Sequence, residues 1–136
     1  MTGDTIAAIA TPHGRGGIGV LRLSGGDAVA IARRIVRSGD PRLLVEANVS
    51  VVGDVASDDA SDLPLDRAVI TFFRAPKSYT GEDVVEIACH GSPVVLQAIL
   101  GALFASGARP ATPGEFTLRA FLNGRIDLTQ AEAVHD

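Results

Sequence analysis

Apolar residues come in short runs broken by glycine, proline and charge, and their spacing predicts alternating strands and helices. Ile6 to Ala10 predicts a strand. Ile18 to Ser24 predicts another, with Leu21 and Leu23 on one face and Val20 and Arg22 on the other. Gly25-Gly26-Asp27 turns the chain into a helix whose turns are marked by Val29, Arg33 and Val36 and which ends near Ser38-Gly39. Strands are expected over Val49 to Val55, Ala68 to Phe73 and Val84 to Cys89. The acidic, small-residue stretch Ala56 to Leu65 is a surface loop or hairpin tip, and Ala75 to Glu82 is a loop. Ser92-Pro93 caps a long apolar helix that runs to Ser106 and stops at Gly107. Thr112, Pro113 and Glu115 form a capping box with proline at the first helical position, and Gly124 ends that helix. Thr129 and Glu132 suggest a second box, opening a helix barely begun at Asp136. The chain is expected to be a piece of a longer protein, cut at the entrance to a further helical region. The fold class is α+β, a mixed β-sheet with packed helices.

The helix after Ser92 leaves almost no polar face, since Val94, Val95, Leu96, Ala98, Ile99, Leu100, Ala102, Leu103 and Phe104 follow one another with little interruption. Such a helix is buried on more than one side. Two readings stay open: a central core helix, or a helix that also serves a subunit interface. At 136 residues and 46% hydrophobic, the chain can bury a real core. No stretch resembles a membrane span, no secretory signal is visible, and Cys89 alone excludes an internal disulfide. The expected setting is the bacterial cytoplasm, with no membrane partner. A net charge of −4 gives no overall pull on nucleic acid or acidic lipid.

Gly14-Arg15-Gly16-Gly17-Ile18-Gly19 matches the dinucleotide pattern G-x-G-x-x-G. In a Rossmann unit that loop opens a helix, whereas here Ile18 to Leu23 predicts a strand, so a nicotinamide or flavin site is not expected. These glycines instead let chain segments approach closely, or shape a loop beside a pocket. Arg22 and Glu86 are charges inside apolar strands. Either each points to solvent from a half-exposed sheet, or the two converge on a polar ligand. A carboxylate can accept two parallel N–H bonds from a pterin-like or purine-like edge, and a guanidinium can bind a carboxylate. His90 has no sequence neighbour that would complete a metal site, since His13 and His135 lie far off. Cys89 continues the Val85, Ile87 face and is expected in the core. No Ser/His/Asp or Cys/His set is visible, so the residues favour a small binding domain over a complete enzyme.

Four stretches carry a family resemblance: Asp4 to Pro12 with the glycines Gly14 to Gly19; Leu21-Arg22-Leu23-Ser24-Gly25; Ser78 to Glu86 followed by His90-Gly91; and Pro113 to Val134. Together they resemble the N-terminal domain of the MnmE (TrmE) family of bacterial tRNA modification GTPases. Two positions depart from that pattern: His13 stands where a second proline is common, and Ser92 where a second glycine is common. The resemblance implies a fold similar to the tetrahydrofolate-binding domains of glycine-cleavage and dimethylglycine-oxidising enzymes. It implies a homodimer that binds a one-carbon tetrahydrofolate such as 5-formyl- or methylene-tetrahydrofolate. The family's folate contacts fall on Arg22, Glu86 and Arg125, the last of which is lysine in some relatives. The resemblance sets the folate-binding and dimerisation domain at residues 1–122 and the start of a helical domain at 123–136.

It further implies that the whole protein acts with the flavoprotein MnmG (GidA). The pair adds an aminomethyl-type group to carbon 5 of the wobble uridine in tRNA, with GTP, potassium and magnesium used by a GTPase domain outside this chain. The chain alone is then not expected to be catalytic. An aminomethyltransferase-like enzyme would need an acid or base beside the folate nitrogen. His90 and Asp83 are the candidates, and the sequence shows an orienting partner for neither. A purely structural dimerisation module would have lost the ligand charges, whereas Arg22, Glu86 and Arg125 are all present.

Overall fold

A computed structural model describes residues 4–11, 17–57 and 64–134. Gly14 to Gly16, His13, His135 and the centre of the Ala56 to Leu65 loop lie outside the described residues. The elements are β1 (Ile6–Ile9), β2 (Ile18–Ser24), α1 (Ala28–Ile35), β3 (Val36–Arg37), β4 (Ser50–Val55), β5 (Asp66–Phe73), β6 (Val84–His90), α2 (Pro93–Ala105), β7 (Arg109–Pro110), α3 (Glu115–Leu122) and α4 (Leu128–Ala133). The strands form one sheet in the order β3-β4-β5-β6-β2-β1-β7. Every pairing is antiparallel except that of β1 with β7. The mixed α+β architecture expected from the sequence is the one observed.

The period-2 alternation of the strands divides the sheet into two unlike faces. Leu21, Leu23, Ile70, Phe72, Val85, Ile87 and Cys89 are buried on one face, where they share a core with α1 and α2. α1 contributes Ala28, Ile31, Ala32 and Ile35, while α2 contributes Leu96, Ile99, Ala102 and Leu103. The opposite face carries the alternate residues, among them Val20, Arg22, Val52, Val69, Thr71, Glu86 and Ala88. α2 is therefore buried on one side only within this chain. Its outer side exposes Val94, Ala98, Gly101 and Ala105.

Four local expectations are corrected. α1 stops at Ile35, because Val36 pairs with Val55 as the short edge strand β3. The β-branched residue was counted as a helix turn, but cross-strand pairing claims it. β7 was not foreseen, since two residues carry no period. α3 begins at Glu115, after a left-handed Gly114, rather than at Pro113. Glu115 does reach back to the Thr112 N–H at 2.9 Å, which is half of a capping box. α4 is capped by Asp127 with Gln130, two positions before Thr129 and Glu132, and the reciprocal bonds are 2.7 and 2.8 Å. Gly124 stops α3 as expected: the Arg125 N–H reaches back to the Ala120 carbonyl and the Gly124 N–H to that of Phe121.

An ionic hub ties α3 to the sheet. Arg119 on α3 has a side chain only 5% exposed. Its Nη1 donates to Glu82 Oε1 and to the Asp4 carbonyl, both at 3.0 Å. Its Nη2 donates to Asp4 Oδ1 at 2.9 Å and to Glu115 Oε2 at 3.1 Å. Arg109 on β7 donates to the carboxylates of Asp4 and Glu115 as well. Burial alone would lower the Arg119 pKa, but hydrogen bonds and charge from Glu82 and Glu115 raise it. The Arg109 hydrogen bond is the main cause holding the Glu115 carboxyl down to about 2, against the opposing effect of burial.

Gly25 sits at φ +143°, and a Cβ there would lie 2.5 Å from Thr5 Oγ1 and 2.7 Å from the Thr5 backbone. Gly25→Ala is expected to cost about 1–3 kcal/mol, measured as a lower urea midpoint at unchanged slope. Glu115 titrates in the unfolded chain near 4.5 and in the folded one near 2. Its contribution is complete above the higher value and is lost as pH falls through the lower one. Stability is expected to drop by a few kcal/mol over that interval. Glu115→Gln is expected to be less stable at neutral pH and to show a flatter acid limb in urea titrations across the same range.

Candidate functional site

Arg22 and Glu86 stand directly opposite one another where β2 pairs with β6. Both point to the sheet face not covered by α1 and α2, because their neighbours Leu21, Leu23, Val85 and Ile87 occupy the other. Arg22 donates from Nε to Glu86 Oε2 at 3.0 Å, and its Nη2 stands 2.9 Å from the same oxygen as an ion pair. Oε1 takes part in neither contact. The side chains remain 25% and 30% exposed, so the pair is reachable from solvent. Thr71 extends the polar row on β5, paired with Glu86 and bonded to Ser50.

Two aromatic rings flank the Arg22 guanidinium. The Arg22 guanidinium lies 5.5 Å from the Tyr79 ring centre and 5.7 Å from that of Phe116. These distances allow cation–π attraction. Tyr79 comes from the loop before β6 and Phe116 from α3, and the Tyr79 hydroxyl lies 3.0 Å from Thr117 Oγ1. Arg125, just after α3, donates from Nε to the Ser78 carbonyl at 3.0 Å. The fold thus joins Arg22 to Glu86 by direct contact and places Arg125 against the loop that carries Tyr79. Tyr79 and Phe116 were missed as site residues. Both fall inside stretches that carry the family resemblance, but no periodicity says that their rings meet Arg22.

His90 does have an orienting partner. Its Nδ1 lies 2.7 and 2.9 Å from the two carboxylate oxygens of Asp66, whose Oδ2 also accepts the His90 backbone N–H. Burial alone would raise the Asp66 pKa, and the bonds from His90 outweigh it and lower it. Asp83 instead accepts the Ala75 N–H. His90 lies four residues beyond Glu86 on β6, roughly 13 Å along the strand, and is not brought to the Arg22–Glu86 pair. It lines a cavity of about 330 Å³ with Gly17, Ile18, Val52, Arg67 and Val69, a cavity that Arg22, Glu86 and Arg125 do not enter. Cys89 is buried as expected, and burial pushes its thiol up to about 11. No group of three metal-ligating side chains occurs among the described residues. No helix among them is long and apolar enough to cross a membrane.

The glycine-rich stretch is described only from Gly17 onward. Gly19 lies within β2, and a Cβ there would come 2.7 Å from the Leu96 side chain of α2. That glycine serves close approach of strand and helix, and no helix follows the loop to receive a pyrophosphate.

Residues 5–125 match the family model described as GTP-binding protein TrmE N-terminus. The chain is 57% identical over 133 residues to the tRNA modification GTPase MnmE of Chloroflexus aurantiacus, covering 98% of this chain and 29% of that protein. It is 54% identical over 131 residues to the MnmE of Thermus thermophilus, covering 96% and 30%. The corresponding protein of Koribacter versatilis is 51% identical over 133 residues, covering 98% and 29%. The chain spans less than a third of the length of these curated relatives. With the match running through every element from β1 to α3, the chain belongs to the TrmE N-terminal domain family.

Proposed function

We propose that this domain holds a one-carbon tetrahydrofolate for a tRNA-modifying GTPase and pairs with a second copy of itself. The Arg22–Glu86 pair carries the reading: a solvent-reachable carboxylate with one oxygen outside the Arg22 hydrogen bond, beside a guanidinium that lies over two aromatic rings. A pterin offers an amide N–H beside an amino group, which is the donor pattern a carboxylate accepts in parallel. Its flat ring suits a site walled by Tyr79 and Phe116. The folate also carries carboxylates, and Arg125 at the edge of the same loop is a fitting partner for one. Bound there, the folate supplies a one-carbon unit, and the chain's own side chains bind and orient it.

The relatives are named tRNA modification GTPases, and this reading gives the whole protein that activity. The substrate is the wobble uridine of tRNA, modified at carbon 5 with the flavoprotein MnmG, in the cytoplasm. GTP, potassium and magnesium belong to the part of the relatives' length that this chain does not span. A fragment of net charge −4 with a single lysine is poorly suited to grip tRNA by itself. An aminomethyltransferase-like enzyme is less well supported, because the oriented His90 stands far from Glu86. Two apolar surfaces support self-association: the outer side of α2, and the row Ile18, Val52 and Val69 on the open sheet face.

Glu86→Gln is expected to fold normally and to weaken binding of 5-formyl-tetrahydrofolate by about 1–3 kcal/mol, roughly 5- to 150-fold. Calorimetric titration reads this directly, and parental affinity in the variant would remove Glu86 from the site. Sedimentation at micromolar concentration is expected to give a dimer; a monomer with full folate binding would contradict the assembly.

A further inference from the structure

We infer that Arg119, which touches neither Arg22, Glu86 nor Arg125, is a positioning residue that sets the Tyr79 and Arg125 side of the ligand site. The inference rests on the folate reading only for its ligand readout. The loop from Ser78 to Glu82 is stitched to α3 and the turn after it at four points. Ser78 accepts from Arg125, and Tyr79 meets Thr117. The Thr80 carbonyl accepts from Asn123 Nδ2 at 2.7 Å, and Glu82 accepts from Arg119. Two of these contacts join neutral groups, and a third sets the Arg125 guanidinium against a neutral carbonyl. The fourth is a guanidinium 5% exposed, shared with Asp4 and Glu115.

Glu82 carries the constraint onward. Its Oε1 also accepts from Ser24 Oγ at 2.8 Å, and Ser24 lies 2.6 Å from Thr80 Oγ1. Ser24 and Thr80 are fully buried. Ser24 is the last residue of β2, two positions from Arg22. One carboxylate therefore links the strand of Arg22, the loop of Tyr79 and the helix that presents Phe116 and precedes Arg125. A buried ion pair is weak ground for stability alone, because desolvation offsets its attraction. Its geometric precision is what a site assembled from three separate segments needs. Nη1 holds Glu82 and the Asp4 carbonyl while Nη2 holds Glu115 and the Asp4 carboxylate, a fixed two-armed geometry that the single nitrogen of a lysine does not reproduce. The Nε of Arg119 is buried with no hydrogen-bond partner among the described residues, and the planar group is held by its two terminal nitrogens.

The chain provides its own reporter, because Tyr79 is its one tyrosine and there is no tryptophan. Arg119→Lys, Glu82→Gln and a distant destabilising control, Ile35→Ala, are compared by thermal denaturation, acrylamide quenching of Tyr79 emission, and calorimetric titration with 5-formyl-tetrahydrofolate. Arg119→Lys is expected to make Tyr79 at least twofold more quenchable and to raise the folate Kd about tenfold (about 1.4 kcal/mol). Glu82→Gln is expected to move both in the same direction by less. Ile35→Ala is expected to lower Tm and leave both readouts at parental values. If Arg119→Lys folds with parental quenching and Kd, or if Ile35→Ala shifts them equally, the positioning role is overturned. Should Arg119→Lys fail to fold, Glu82→Gln decides by the same criteria. A parent chain that does not bind the folate would overturn the proposed function instead, and Tyr79 quenching would still decide the role of Arg119.

Discussion

The register of β2 on β6 is the constraint from which the rest of the site descends. In the observed pairing Leu21 faces Ile87, Arg22 faces Glu86 and Leu23 faces Val85. A slip of one residue would turn Arg22 toward the core under α1 and α2 and bring Leu21 and Leu23 out to solvent. The apolar set on the buried face fixes the register. Burial of Leu21, Leu23, Val85 and Ile87 thereby sets the geometry of a polar pair to which none of them contributes an atom. Core packing and site construction are, in this domain, the same event.

The second half of the site is imposed on that sheet from outside. Tyr79, Phe116 and Arg125 come from a loop, a helix and a turn, and none is held by ladder hydrogen bonds. Their placement depends on polar groups: the hub around Arg119, the Ser24–Thr80–Glu82 chain and the Asn123 contact. The sheet half is specified by apolar area, which is insensitive to small angular errors. The helical half is specified by directional bonds, which tolerate little error. That division explains why polar side chains such as Ser24, Thr80 and Arg119 are buried in so small a domain.

The same division governs what could be read from the sequence. The strands and α2 were legible because burial imposes periods of two and of 3.6 on the residue pattern. Arg22 and Glu86 stood out for a related reason, as charges that interrupt apolar alternation. Arg119 could not be singled out that way, since an arginine within Phe116 to Leu122 resembles any solvated helix position. Its burial arises from Asp4 and Glu82, which approach from distant parts of the chain. Val36 was misjudged because a β-branched residue at a helix end fits either state until Val55 is known to lie beside it. Asp127 lost to Thr129 as the cap because both sequences offer the same motif two residues apart. The role of Arg125 came from family resemblance, and the structure adds its bond to the Ser78 carbonyl.

The link between Asp4 and Arg119 joins residues 115 positions apart. It has a consequence for the order in which the domain is completed. β1 can pair with β2 early, as a local antiparallel neighbour, but the other edge of β1 waits for β7 near residue 110. Contacts of such sequence separation carry a large loop-closure cost and form late. During synthesis at roughly 5–20 residues per second, the sheet can assemble around α1 and α2 while β1 still has an open edge. The residues that close that edge are immediately followed by those that carry Phe116, Arg119 and Arg125. A nascent chain interrupted before α3 would have the core and the Arg22–Glu86 pair without the helix that brings Phe116 to Arg22.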